Sequence, residues 1–434
     1  MKSAASELPL AGIRVLDLTT WWAGPLNAMI LADFGAEVVK IEAIQRLDNW
    51  RATLADRNIE QWWETSPLFN SAQRNKFDLT LNLASVRGVE VFKQLVACSD
   101  VVCENYSPRV MPQLGIAYEV LREINPRLIM SSQTGFGLTG PWRDYVSFAQ
   151  VAETLAGLAH LTGREDGPPT FAGQMLGDTL SALHGALAVM IALDERARTG
   201  RGQHIDLAQL ETVVPTTAQA QLDYQMNGRV WNRVGNRHWR MAPHGCYPAR
   251  GEDRWIVIAI DGDEEWKRLG ELMANPGWTR EARFATAAAR LNNADALDQL
   301  IAAWTRDQDR DELAHQLQRA GLKAGPVLNP ADLLEDPHLK ARGFFQYLDR
   351  EHVGRKPYPG IGIRFSKTPM HDRMPAPALG QHNEEILRRV LGMSDQEIEQ
   401  LEREQVIGKI PAALLQPAPS PAEPAEDAAP VRGK

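Results

Sequence analysis

The sequence predicts an α/β fold: a parallel, doubly wound sheet in the first two hundred residues and a smaller lobe inserted from about residue 225. Three observations carry this. Short apolar, β-branched runs alternate with helix-like segments through the N-terminal half. Those runs are apolar on both faces, as strands covered on both sides by helices must be. The composition then shifts to Arg, Gly and Trp in NGRVWNRVGNRHWRMAPHGCYPARGEDRW. A chain of 434 residues also exceeds what one small core organises, so two domains are expected.

Taken in order, IRVLDLT (13–19) reads as a strand, a helix led by Pro25 runs through Phe34, and EVVKIE (37–42) is a second strand. A helix near 86–97 precedes the strand DVVCENY (100–106), YEVLREIN (118–125) is helical, and RLIMSSQ (127–133) is again a strand. FAQVAETLAGLAHL (148–161) and the apolar run after Asp178 read as helices, TGRG (199–202) as a turn and QHIDLAQ as a strand. The inserted lobe carries the strand RWIVIAI (254–260) and helices at 264–273, 294–305 and 310–320, ending near DPHLKARGFF. After Pro359, GIGIRFS is strand-like and two helices close the fold, the second opened by a capping box of Ser394 and Glu397. The expected division is 1–224, 225–345 and 346–410, with a Pro/Ala/Glu tail at 411–434 too poor in apolar residues to fold alone. There is no internal repeat.

A formal charge of −8 argues against nucleic acid as a partner, since no basic stripe is available for phosphates. Cys98, Cys103 and Cys246 are an odd set without metal-site spacing, which points to a reducing compartment. The start of the chain lacks the apolar core of a secretory signal, and ALAVMIAL (186–193) is too short to span a bilayer. A soluble, cytoplasmic protein with no membrane partner is expected.

Gly135-Phe136-Gly137-Leu138-Thr139-Gly140 satisfies the dinucleotide pattern GxGxxG after a strand. Pro141, Trp142 and Arg143 follow at once, so the third glycine opens no helix on which a pyrophosphate would sit. The segment remains a glycine-rich loop at a strand end, where sheets of this kind bind ligands. No HExxH, zinc spacing, GxSxG elbow or P-loop occurs, and no metal is expected. Asp178, in GQMLGDTLSALHG, has two readings. One is a helix N-cap. The other is a nucleophile toward an activated acyl group, because a carboxylate is already ionised at neutral pH and needs no base. His184, about 240° around an ideal helix from Asp178, is not placed as its base.

Ten stretches in order resemble the family III CoA-transferases, the group that includes formyl-CoA, carnitine and benzylsuccinate CoA-transferases. They are VLDLTTWWAGP, ADFGAEVVKIE, RNKFDLTLNL, ENYSPRVMPQLG, INPRLIMSSQTGFGLTGP, TGREDGPP, GDTLSALHG, RTGRGQHIDLAQLE, AGLKAGPVLNPADLLEDPHLKARGFF and PAPALGQHNEEIL. The resemblance implies a Rossmann-like large domain built from both chain ends, an inserted α+β domain and an interlocked dimer, a homodimer or a hetero-oligomer with a homologous subunit. It places the nucleophile at Asp178, a loop stabilising the reacting carbonyl at Thr134, Gly135, Phe136 and Gly137, and a CoA path along Leu81, Asn105, Tyr106, Gln113 and Leu114. Ala43, Ala84 and Gln113 stand where formyl-CoA transferase has basic residues. Arg46, Arg51 and Arg109 are therefore candidates for the CoA phosphates, against the competing reading of solvated surface arginines.

Trp22, preceded by Trp21, stands where formyl-CoA transferase has a glutamine close to its catalytic aspartate, and the two are expected to line the acid's pocket with flat apolar surface, one ring reaching the substrate. The expected substrates are an acyl-CoA thioester and a carboxylic acid, with no other cofactor. An α-methylacyl-CoA racemase would need a His in YVSFAQ (145–150), which has none. A non-catalytic CoA-binding subunit is the remaining alternative.

Overall fold

The computed structural model describes residues 8–173, 175–368, 370 and 373–415. Six strands, β1 (Arg14–Asp17), β2 (Glu37–Glu42), β3 (Lys76–Thr80), β4 (Val101–Glu104), β5 (Ile129–Thr134) and β6 (His204–Ala208), form one sheet in the order β3-β2-β1-β4-β5-β6. Every pairing is parallel, with Leu16 opposite both Val39 and Val102, and Thr134 opposite Ala208. Side chains alternate across the sheet. Leu16, Val39, Leu79 and Val102 join one core with Phe92, Leu95, Ile386 and Leu401; Val15, Val38 and Val101 join another with Leu31, Ala186 and Val189. Helices Val86–Ala97, Asn383–Leu391 and Asp395–Arg403 thus cover one face, and Ala23–Asp33 and Leu176–Thr199 the other. The Ser394 and Glu397 capping box is present.

By internal contacts the chain divides into two compact units. The first holds the described residues of Met1–Ala149, Met175–Thr212 and Gln346–Lys434 and contains the parallel sheet. The second, Gln150–Gln174 with Val213–Phe345, contains the antiparallel sheet of β7 (His244–Pro248), β8 (Trp255–Ala259) and β9 (Lys323–Pro326), packed on Trp266, Phe284, Leu297 and Leu317. The first unit's central share therefore ends at 212 rather than 224, and 150–174 goes to the second unit.

Several elements differ from the sequence reading. The helix expected over 148–161 is two, Ala149–Leu155 and Leu158–Leu161, divided at Gly157 with φ +80°. GIGIRFS is not a strand: its Ile363 and Phe365 are exposed, and the pairing lies upstream between β10 (Phe345–Arg350) and β11 (Gly354–Pro359). Within 411–434, Ala412–Leu415 is a helical turn, with the Ala412 N–H donating to the Ile44 carbonyl at 2.8 Å and its side chain in a cluster with Ile44, Trp63 and Leu379. Residues 416–434 lie outside the described residues.

The helix Leu176–Thr199 passes length and composition tests for a membrane span, because its apolar stretch extends well beyond 186–193. It is a core helix on one side. Ala182, Gly185, Ala186, Val189 and Ala192 are buried, and a Cβ at Gly185 would lie 2.8 Å from Asn27, so glycine permits the close approach to helix Ala23–Asp33. On the other side Leu183, Leu187 and Ile191 are exposed.

β3 carries charge inward. Lys76 pairs with Asp17 at 2.8 Å, Lys40 with Asp48 at 3.0 Å, Arg51 with Glu42 and Glu64 at 2.9 Å and with Asp78 at 3.3 Å, and Arg350 with Glu64 at 2.5 Å, all essentially buried. Four cations (Lys40, Arg51, Lys76, Arg350) face five carboxyls (Asp17, Glu42, Asp48, Glu64, Asp78). The set is neutral when one carboxyl keeps its proton. Among the five, Asp78 is pushed well above the usual range by burial and by neighbouring Glu42. Glu42 is buried too, but Arg51 and Lys40 hold it down at about 2. Removing a cation should therefore cost far more than neutralising Asp78. Arg51→Met is expected to destabilise by about 3–5 kcal/mol, the typical loss when one partner of a buried pair is removed. Asp78→Asn should cost less than half as much, and urea unfolding of the two variants measures the contrast.

Candidate active site

A cavity of about 580 Å³ opens in the first unit at the carboxyl ends of β1, β2, β4 and β5. The strand order reverses between β1 and β4, which leaves a crevice at this edge. Asp178 reaches its wall from the first turn of helix Leu176–Thr199. It is not the N-cap: that position is Met175, in left-handed conformation at φ +55° and without a side-chain cap bond. Asp178 is the third helical residue, where the dipole favours negative charge. Its carboxylate accepts a hydrogen bond from Gln209 Nε2.

Gly135 and Thr134 line the same cavity; Phe136 and Gly137 continue the loop outside the lining. A side chain at Gly135 would place Cβ 2.3 Å from Ser147 Cβ, so glycine lets segment 143–148 close over this wall. Phe136 meets Trp142 and Tyr145 edge-on, and Trp142 stacks on Tyr145. Trp21 faces the cavity with φ +67°, edge-on to Trp50 and to Phe148 at 5.3 Å each. Trp22 points elsewhere: it does not line the cavity, packs against Trp50 at 6.4 Å and buries its ring N–H.

Of the residues expected along the CoA path, Leu81, Asn105, Tyr106 and Leu114 are on the wall, and Gln113 is exposed outside it. The Asn105 amide clamps Thr20, accepting from its N–H at 2.9 Å and donating to its carbonyl at 2.8 Å. Arg46 and Arg109 are exposed wall residues, and Arg143 joins them. Arg51 is a correction. Fully buried among Glu42, Glu64 and Asp78 with its guanidinium over the Phe69 ring, it has no path to a ligand's phosphates. In sequence, an Arg in a loop after a strand looks the same whether it faces solvent or an acid cluster.

The sequence reading also passed over two glutamines of the wall, Gln133 and Gln209. Gln133, next to last in β5, is buried and donates to Ser181 Oγ at 2.7 Å, one turn beyond Asp178. Gln209 follows β6 in the stretch QHIDLAQ, where only its position directly after the strand marks it. Among the described residues no histidine lines the cavity, and no group of His, Cys, Asp and Glu is placed to hold a metal ion.

The sequence matches the model for CoA-transferase family III over residues 10–383. It is 35% identical over 409 residues to the succinyl-CoA–D-citramalate CoA-transferase of Chloroflexus aurantiacus, covering 94% of this chain and 100% of that one. It is likewise 35% identical over 416 residues to the succinyl-CoA–L-malate CoA-transferase beta subunit of the same organism, covering 94% and 100%. The crystal structure of a CAIB/BAIF family protein from Brucella suis superposes with a TM-score of 0.81 at 32% identity, covering 88% of this chain and 100% of that one.

Beside the wall residue Asn105, Glu104 ends β4 almost fully buried, accepting from the Tyr106 N–H at 2.8 Å. Burial pushes its carboxyl up to about 7, against smaller lowering effects of Ser132 and of that N–H. The folded protein thus holds a proton that the unfolded chain, at its ordinary 4.5, releases. Stability from this group is full below about pH 4.5 and is lost as pH rises to about 7, on the order of 3 kcal/mol in all. Glu104→Gln should remove that decline, which unfolding curves between pH 4 and 8 will show.

Proposed function

The chain belongs to CoA-transferase family III and is an enzyme moving CoA between an acyl-CoA thioester and a free carboxylate; on that premise we propose that Asp178 is its nucleophile. The observation that carries this is an ionisable carboxylate at a helix's first turn on the wall of a cavity whose lining also holds Trp21, Leu81 and Tyr106. Asp178 attacks the thioester carbonyl, giving an aspartyl acyl anhydride and CoA thiolate. The thiolate returns to the Asp178 carbonyl, releasing the donor acid and leaving an aspartyl-CoA thioester. The acceptor carboxylate then runs the sequence in reverse. Backbone N–H groups of the Gly135 loop face the reacting carbonyl, and closure of segment 143–148 keeps water from the anhydride. Arg46 and Arg109, exposed on the wall, meet the CoA phosphates. No further cofactor takes part.

The acceptor, in this reading, is a larger and less polar acid than formate or oxalate. Trp21, with Trp50 and Phe148 edge-on to it, offers flat apolar surface at the place where the acid would lie. The named relative in Chloroflexus aurantiacus uses succinyl-CoA and D-citramalate, which makes succinyl-CoA the first donor to try. Assembly as a dimer is supported by the exposed Leu183, Leu187 and Ile191, a stripe at four-residue spacing that a second chain would cover. The partner is this chain itself or a homologous subunit, and the compartment is the cytoplasm.

Asp178→Asn is expected to fold normally and lose transfer by more than about 10³-fold, since no neighbour replaces a nucleophile. Wild type mixed with succinyl-CoA should carry a CoA adduct that hydroxylamine removes, read by intact-protein mass spectrometry; normal turnover by the Asn variant would refute the assignment. Trp21→Gln should lower kcat/KM for an arylalkyl succinate at least about tenfold relative to oxalate, the scale of a lost apolar contact. Trp22→Gln should leave that ratio in place. Leu187→Glu should shift the sedimentation of the protein toward monomer.

A further inference from the structure

We propose that Gln209 is a catalytic residue, the hydrogen-bond donor that stabilises charge on Asp178 itself when the carbonyl under attack belongs to the enzyme. The inference rests on the nucleophile reading of Asp178. Three observations carry it. Gln209 is only 6% exposed yet lines the cavity, and its Nε2 donates to Asp178 Oδ1. It is the first residue after β6, whose Ala208 is in register with Thr134 of β5. The next residue's N–H, on Leu210, donates to the Gly135 carbonyl at 3.0 Å. The amide is therefore built onto the same backbone that presents the Gly135 loop, and one short segment fixes a donor on each side of the reaction.

The bond changes assign the two carboxylate oxygens different duties. In the first step an Oδ2 lone pair bonds to the acyl carbon, and the C–S bond breaks with its electrons leaving on CoA thiolate. Oδ1 becomes a carbonyl oxygen. Thiolate then attacks Asp178 Cγ, the π electrons move onto Oδ1, and collapse breaks Cγ–Oδ2, so the donor acid departs carrying that oxygen. In the third step the acceptor carboxylate attacks Cγ, charge returns to Oδ1, and the Cγ–S bond breaks to free thiolate. In the last, thiolate attacks the acceptor's acyl carbon and Asp178 leaves as carboxylate. A tetrahedral oxyanion forms on Oδ1 in the second and third steps alone, at the atom that Gln209 Nε2 already touches. In the first step the same bond holds charge on the ground-state carboxylate and gives no acceleration. Gln209 therefore acts selectively on thioester formation and on its discharge.

Rapid-quench mass spectrometry with succinyl-CoA as donor separates these steps. In Gln209→Leu the hydroxylamine-labile CoA adduct should form about 10²-fold more slowly, the scale for losing one oxyanion donor, with KM for succinyl-CoA within about threefold of wild type. A larger share of succinyl-CoA should be hydrolysed, because the anhydride waits longer. Gln209→Glu supplies a readout that a packing role would not move. Its neutral carboxyl can donate an O–H to Oδ1 and its anion cannot, so its adduct rate relative to wild type should rise as pH falls from 8 to 5. An unchanged adduct rate in Gln209→Leu, or a Gln209→Glu to wild-type ratio flat with pH, overturns the role of Gln209 and leaves Asp178 standing. A wild type that forms no hydroxylamine-labile adduct overturns the nucleophile reading and this one with it.

Discussion

The buried set of charges behind the cavity is the constraint on which the first unit depends. Charges removed from water are tolerated only with partners at short range and in balanced number, so Lys40, Lys76, Arg51 and Arg350 dictate where their carboxylates must be. Asp17 and Lys76 fix β1 relative to β3 across the intervening β2. The set also recruits the C-terminal part of the chain. Glu64 accepts from the Leu379 N–H and Asp78 from the Gly380 N–H, while Arg350 donates to the carbonyls of Ala376 and Pro377. Residues three hundred positions apart are thus joined by directional bonds with one solution each, whereas apolar packing alone would permit several.

The cavity wall inherits this order. Asp48, paired with Lys40, also accepts from the Thr20 hydroxyl and from the N–H groups of Trp21 and Trp50. A tryptophan in left-handed backbone conformation is unfavourable in isolation, and here Asp48 on one side and the Asn105 clamp on Thr20 on the other hold the turn in place. The ring that faces the cavity is set by charges that never touch it. The same arrangement explains why Trp22 turns inward: adjacent residues leave such a turn in different directions, and only one can face the opening.

Much of this was legible in the sequence where local pattern and environment agree. β2 lies where EVVKIE was read as a strand, and helices Val86–Ala97 and Ala294–Thr305 lie at the ranges read from periodicity, because an apolar run or stripe reports burial directly. β3 was not read as a strand. Its Lys76 and Asp78 resemble a solvated loop until their partners on distant segments are known. Arg51 misled for the same reason, and β7 and β9, each short and interrupted by Gly or Pro, carry too little pattern to be seen. In the candidate site, Asp178, the Trp21–Trp22 pair and the Gly135 loop stand out by residue type and neighbours, but which indole faces the cavity does not. Gln209 does not stand out, since an amide after a strand has no signature until its partner is found 31 residues away.

The odd carboxyl in the buried set has a consequence for folding itself. In the unfolded chain Asp78 is an ordinary acid, while in the folded unit burial and neighbouring Glu42 push its carboxyl well above that range. The contribution of this one group to folding is therefore uptake of a hydrogen ion from the solvent. The heat of folding then carries a term from the ionisation of the buffer, and Asp78→Asn removes the part of that term that this carboxyl supplies.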